Sequence, residues 1–150
     1  MHLRWPYVGL VILGGTVGTA LREALGLVFP PIDLVAGVRL PLITVGINLL
    51  GALLLGLLLE VLLRHGPDAG GRRSLRLLLG TGLLGGFTTY SALATDSAVL
   101  LHAGAAGFAV AYALGTVLFG GLATWLGIVI GAALHRRRHG GPASAAGEAP

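Results

Sequence analysis

The sequence predicts an all-α integral membrane protein with four transmembrane helices, the third of them broken within the membrane. Apolar side chains make up 55% of the 150 residues and charged side chains only 11%, and the mean hydropathy is +0.88. Soluble domains carry about 25% charged residues, and disordered chains are polar and rich in charge. The composition therefore excludes both a water-soluble domain and a disordered chain.

Four apolar stretches are long enough to cross a bilayer. A spanning helix needs about 20 residues, because each residue rises ~1.5 Å and the hydrocarbon layer is ~30 Å thick. Charges, prolines and glycine-rich turns bound the stretches, which lie at about 7–29, 41–63, 77–100 and 106–134. We expect residues 1–135 to form one four-helix membrane domain and residues 136–150 a basic, disordered tail. The alternative that the first stretch is a cleaved signal peptide is disfavoured, because one arginine precedes it and no clear A-x-A site follows it.

The distribution of arginines predicts the orientation. The chain has ten Arg and no Lys. With four spans, both termini and the middle loop share one side, and that side holds eight of the ten; Arg22 and Arg39 lie on the other. Because Lys and Arg are enriched on the cytoplasmic side, we expect a multi-pass protein of the plasma or inner membrane with both termini in the cytoplasm. This topological role explains the positive charge, so we expect no nucleic-acid partner.

The third span contains the features of a broken helix. Adjacent Gly85 and Gly86 allow the chain to leave helical geometry, and the hydroxyls of Thr88, Thr89 and Ser91 can bond the backbone groups that a break releases. A break at membrane depth is tolerated only where protein or a water-filled cavity surrounds it, which is typical of an ion site. The alternative is that Gly80, Gly82 and Gly86 only form a close-packing face. The residues alone favour neither interpretation.

Two further polar residues interrupt the apolar spans. Asn48 stands in the second span, and its side-chain NH₂ offers two donors. The alternative for Asn48 is an ordinary interhelical hydrogen bond. Arg22 ends the first span's glycine-rich stretch and either extends to the interface or lies at a pore mouth, where it would concentrate anions.

The sequence lacks the groups of a catalytic centre, so we expect no enzyme. There are no cysteines, and the five histidines fall in predicted loops and tails. The hydroxyls of the third span have no base within their motif to activate them.

Three segments, in order, resemble the CrcB/Fluc family of fluoride channels. They are GGTVGTALRE in the first span, TVGINLLGALLLG in the second and GLLGGFTTYSAL in the third. The resemblance implies a fluoride-selective channel subunit that exports fluoride passively from the cytoplasm and so reduces its toxicity. It also implies an antiparallel dimer of four-helix subunits in the lipid bilayer.

The resemblance further implies roles for individual residues. The fluoride pathway would be lined by one amide, two ring positions and two hydroxyls: Asn48, Tyr90, Leu93, Thr89 and Ser91. Arg22 would belong to the aqueous vestibule. A structural sodium ion at the dimer interface would be bound by the backbone carbonyls of Gly85 and Thr88.

The chain departs from this pattern in two respects. Tyr90 and Leu93 stand where the family has two phenylalanines, and eight arginines against two argue against one chain inserting in both orientations. We therefore expect pairing with a paralogous subunit of opposite orientation. Two alternatives remain: a partner subunit without a complete pore of its own, and a small multidrug exporter, for which Glu23 is the candidate buried carboxylate.

Overall fold

The fold is a bundle of four membrane-spanning helical runs. The computed structural model describes residues 5–30, 32–33 and 39–139. Six α-helices and one π-helical segment, Arg76–Leu84 between α3 and α4, make up these runs: α1 (Trp5–Val28), α2 (Leu42–Arg64), α3 (Gly70–Leu75), α4 (Gly85–Phe87), α5 (Tyr90–His102) and α6 (Ala106–His139). All four runs are long and apolar enough to cross a membrane. The prediction of four spans with a broken third is confirmed.

Two helices extend beyond the expected spans. The third run begins at Gly70 rather than near residue 77, and α6 continues through Arg137 to His139, past the expected start of the tail at 136. Charged residues end an apolar stretch but not the helix that contains it, because arginine is a good helix former. Residues 140–150 of the expected tail lie outside the described residues.

The first loop contains a short antiparallel pairing. β1 (Ile32–Asp33) pairs with β2 (Arg39–Leu40), with Ile32 opposite Leu40 and Asp33 opposite Arg39. Two-residue strands carry no hydrophobic periodicity, so the sequence pattern predicted only a loop here.

Glycines bring α1 against the third run at backbone contact distance. A Cβ at Gly14 would overlap the carbonyl oxygen of Leu78, and one at Gly18 would overlap that of Leu83. A Cβ at Gly86 would likewise overlap the Gly15 carbonyl. The close-packing interpretation is therefore correct for Gly86, which lets two helices meet without intervening side chains.

The buried core of the subunit lies between α5 and α6. Leu93, Leu100, Ala109 and Tyr112 form one buried cluster, against which Val45 of α2 packs. This cluster fixes the second half of the broken span against α6, so the break itself faces α2 and α1.

Candidate ion pathway

The third span breaks at two threonines. Thr88 (φ −75°, ψ 157°) and Thr89 (φ −149°, ψ 121°) are extended, between the end of α4 at Phe87 and the start of α5 at Tyr90. Gly85 keeps helical angles (φ −65°, ψ −34°). The break therefore falls after the glycine pair and not within it. Threonine is β-branched and favours extended backbone, which explains why the chain leaves the helix there.

Asn48 holds the break in place through a reciprocal pair of hydrogen bonds. Its Nδ2 donates to the Thr89 carbonyl oxygen at 3.0 Å, and the Thr89 amide donates to its Oδ1 at 2.8 Å. The side-chain amide thus bonds both the N–H and the C=O of Thr89, as the backbone of a neighbouring β-strand would. One of the two Nδ2 hydrogens is used in this way, and the other remains available as a donor.

Hydroxyl groups satisfy further backbone atoms beside the break. Thr89 is the N-cap of α5, where its Oγ1 accepts from the Ala92 amide at 3.1 Å, as N-cap threonines do. Thr89 Oγ1 also lies 3.1 Å from Ser91 Oγ, and either oxygen is able to donate. This pair has two hydroxyl hydrogens and uses one between them, so one donor is left over in either arrangement.

Arg22 and Thr19 reach the break from α1. Both donate to the carbonyl oxygen of Gly86, Arg22 through Nε at 3.4 Å and Thr19 through Oγ1 at 3.3 Å. Tyr90 would bond this carbonyl in a continuous helix, so α1 supplies the partner that the break removes. Arg22 also forms an ion pair with Glu23 at 3.0 Å. The expected vestibule residue is thus attached to the end of the first half-helix.

Among the described residues, three carbonyls at the break have no such partner: those of Gly85, Phe87 and Thr88. No hydrogen bond from the part of the chain that the structure describes reaches the carbonyl oxygen of Gly85 or Thr88. The amide that a continuous helix would offer to Gly85, that of Thr89, is bonded to Asn48 instead. Gly85 and Thr88 are the two residues expected to bind sodium.

A cavity of about 340 Å³ opens beside the break, between α2 and α6. Its lining includes the expected sodium residues, Asn48, Thr89, Tyr90 and Leu93, and two threonines of α6, Thr116 and Thr124. None of the described residues that line it is charged. The cavity is thus lined by polar groups at the break, by two threonines of α6 and otherwise by apolar residues and glycines.

Most hydroxyls that line this cavity are already donors to backbone. Thr88 donates to Leu84 O at 2.9 Å, and Thr116 and Thr124 donate to the carbonyls four residues before them, at 2.7 and 3.0 Å. Because their hydrogens are donated to backbone carbonyls, these three hydroxyls present only oxygen lone pairs to the cavity. The donors nearest the break are therefore the spare Asn48 N–H and the spare Thr89–Ser91 hydroxyl.

The two expected ring positions differ in their surroundings. The Tyr90 side chain is 80% exposed on the surface of the single subunit, and no described residue accepts from its hydroxyl. Leu93 is only 6% exposed, because it lines the cavity and also belongs to the buried core. Tyr90 thus lies on the surface of the chain, whereas Leu93 is fixed in its core.

Sequence reasoning missed three hydroxyl residues of this region. Thr19 contacts the break, and Thr116 and Thr124 line the cavity. The last two are eight residues apart, a spacing that places them on one face of α6, so the periodicity was a usable signal. No pattern in the sequence indicated that Thr19 contacts Gly86, since the two are far apart along the chain.

Comparison with known proteins identifies the family. Residues 9–128 match the family described as CrcB-like protein, Camphor Resistance (CrcB). The chain belongs to this family. The CrcB-like chain is therefore a multi-pass membrane protein, as its four apolar helical runs also indicate.

Individual relatives of this CrcB-like chain are named as fluoride channels. Fluoride-specific ion channel FluC 2 of Leifsonia xyli is 44% identical over 92% of this chain and 92% of its own length. FluC 1 of Cutibacterium acnes is 46% identical over 79% of this chain and 80% of its own length. A FluC of Thermus thermophilus is 40% identical over 83% of this chain and 93% of its own length. The family resemblance drawn from the three motifs is confirmed.

Proposed function

We propose that the chain is a subunit of a fluoride-selective ion channel that lets fluoride leave the cytoplasm passively. The observation that carries this proposal is the break at Thr88–Thr89, held by Asn48 beside an uncharged cavity. The family and the names of relatives with 40% identity or more support it. A channel needs no catalytic group, so no enzymatic step is part of the proposal.

The donors at the break suit a small, strongly hydrated anion. Removing water from such an ion costs a large free energy unless protein donors replace the water. Asn48 and the Thr89–Ser91 pair supply such donors next to each other. No described side chain that lines the cavity is positively charged, so no guanidinium or ammonium group would hold the anion there permanently, as conduction requires.

A sodium ion fits the carbonyls of Gly85 and Thr88. Sodium is a hard cation that prefers oxygen ligands, and the carbonyls of Gly85 and Thr88 receive no hydrogen bond from the described residues. Two carbonyls do not complete the coordination of such a cation, so a second subunit would supply the others. A cation there would offset part of the cost of an anion in a low-dielectric interior.

An antiparallel dimer, with a paralogous subunit rather than with itself, completes the proposed site. The cavity is open at the surface of the single subunit, and Tyr90 is exposed there. Eight of ten arginines on one side favour a single orientation, with both termini in the cytoplasm. Relatives named FluC 1 and FluC 2 are consistent with organisms that hold two such chains.

Two other functions compete with this one. A partner subunit without its own pore is favoured only by the loss of a ring at Leu93. A multidrug exporter needs a buried carboxylate, whereas the side chain of Glu23 is 65% exposed and paired with Arg22. The structure therefore favours the channel over the exporter.

Fluoride efflux from liposomes tests the proposal. The purified chain, alone and with its paralogue, is reconstituted in liposomes loaded with fluoride or with chloride, and the external ion is measured with a selective electrode. We expect rapid loss of fluoride and retention of chloride. Absence of fluoride efflux both alone and with the paralogue would contradict the channel. Equal efflux alone and with the paralogue would contradict the paralogous pairing.

A tag at the C-terminus tests the orientation separately. Labelling of the tag in intact and in permeabilised cells distinguishes the two sides of the membrane. We expect labelling only after permeabilisation. Equal labelling in both would show insertion in both orientations and favour a homodimer.

A further inference from the structure

A second cavity lies at the end of α2. It shares no lining residue with the cavity beside the break. It measures about 250 Å³ and opens between α2, the loop at 65–69 and the start of the third run. One wall is apolar and formed by Leu59, Leu62 and Leu63. The other wall is polar and includes Asp68, Arg72 and Arg76. The ion pathway described above uses none of these residues.

Two arginines of the cavity, Arg72 and Arg76, hold the loop at 65–69 that closes it. Arg76 bonds both carboxylate oxygens of Asp68, from Nε at 3.1 Å and from Nη2 at 2.9 Å. Arg72 donates from Nε to the carbonyl of Pro67 at 3.0 Å. Both guanidinium groups are therefore oriented before any ligand arrives, which lowers the entropic cost of binding.

The cavity carries one uncompensated positive charge. The hydrogen bond from Arg76 holds the pKa of Asp68 below its usual value, so this carboxylate is ionised at neutral pH and balances the charge of Arg76. Arg72 has no carboxylate partner among the described residues, and its two terminal NH₂ groups have no acceptor there. A single anionic group would thus neutralise this cavity.

We propose that this cavity binds an anionic phospholipid, with the phosphodiester at the Arg72 guanidinium and an acyl chain along Leu59, Leu62 and Leu63. The cavity lies where the apolar part of α2 ends, at Arg64. Leu63 is 73% exposed there, one residue before the charged Arg64. The planar guanidinium fork matches phosphate oxygens.

The same side of the protein holds eight of the ten arginines, and anionic lipids are concentrated in the cytoplasmic leaflet. A free phosphate ion would leave the leucine wall exposed to water, so the apolar wall favours a lipid over a soluble anion.

Lipid retention by the purified, folded protein tests the proposal. The protein in detergent is mixed with phosphatidylglycerol or with phosphatidylcholine, and bound lipid is counted by native mass spectrometry. We expect phosphatidylglycerol to be retained preferentially. Arg72→Gln should weaken its retention on the order of tenfold, because a charge-assisted hydrogen bond is lost. Arg137→Gln removes an exposed arginine of α6 outside the cavity and should leave retention unchanged.

Two further comparisons separate a lipid site from a site for a soluble anion. Leu63→Ser leaves the guanidinium in place and should also weaken retention, because it shortens the apolar wall. Melting temperatures without lipid show that each variant is folded. Equal retention of the two lipids, or unchanged retention in Arg72→Gln, would overturn the proposal. So would stabilisation by soluble glycerol 3-phosphate equal to that by phosphatidylglycerol, which would indicate a free-anion site.

Discussion

Asn48→Asp is the substitution that tests the proposed pathway most severely. In the structure, Asn48 bonds both backbone groups of Thr89. In the proposed pathway, its second N–H donates to fluoride. Aspartate retains an acceptor for the Thr89 amide. It loses both N–H donors and places a negative oxygen 3.0 Å from the Thr89 carbonyl in the parent geometry.

The expected loss of flux follows from two contributions. A hydrogen bond to a charged partner contributes about 1.5–3 kcal/mol, which corresponds to roughly 10- to 100-fold in binding and is lost in Asn48→Ala as well as in Asn48→Asp. A carboxylate about 4 Å from an anion adds repulsion of about 4 kcal/mol at an effective dielectric constant of 20. Fluoride flux through Asn48→Asp should therefore be lower than through Asn48→Ala, and at the background of empty liposomes.

Efflux from liposomes measures both variants beside a matched control. Leu50→Ala truncates a half-exposed side chain two residues away on α2 and should conduct within about twofold of the parent. Gel filtration shows which variants remain folded, since Asn48→Ala leaves the Thr89 amide without its partner, at a cost of about 1–3 kcal/mol. Flux through Asn48→Asp equal to or above that of Asn48→Ala would refute the reasoning.

Three further predictions concern the packing and the loops. Gly18→Ala should lower the stability in detergent by about 1–3 kcal/mol, because its methyl group would overlap a carbonyl of the third run. Gly26→Ala, whose methyl group would have nothing within 4 Å, should not lower the stability. Thermal unfolding of the two variants measures the difference. Thr19→Val removes one donor to the Gly86 carbonyl and should lower the stability by about 0.6 kcal/mol, measured the same way. The lowered pKa of Asp68 means that its ion pair stabilises the fold above the usual pKa of 3.8 and stops doing so as the pH falls through the folded-state pKa. Asp68→Asn should therefore melt slightly below the parent at pH 7 and together with it in strong acid.

The spans were predictable from the sequence because charge and hydropathy report directly on the bilayer. What the pattern could not give was the true length of the helices. Arg72 and Arg76 precede the third apolar stretch and limit it at its N-terminal side, yet both lie within the helical run that begins at Gly70. The π-helical geometry of Arg76–Leu84 has no sequence signature and arises where this run packs on the glycines of α1.

The sequence indicated which residues lie near the break, but not their geometry. The glycine pair indicated a break, whereas the extended residues are Thr88 and Thr89. Gly86 remains helical and lies in close contact with the backbone of Gly15. That Asn48 bonds Thr89 depends on the packing of α2 against the third run, which a single sequence does not report. The family resemblance implied a vestibule role for Arg22. Its hydrogen bond to Gly86 also depends on helix packing, so the sequence did not indicate it.

An experimental structure of the assembled channel in fluoride tests the central claim most directly. The account predicts a third span interrupted at Thr88–Thr89, with anion density within hydrogen-bonding distance of Asn48 Nδ2. A third span that is one continuous helix, or an anion pathway that does not contact Asn48, would contradict it.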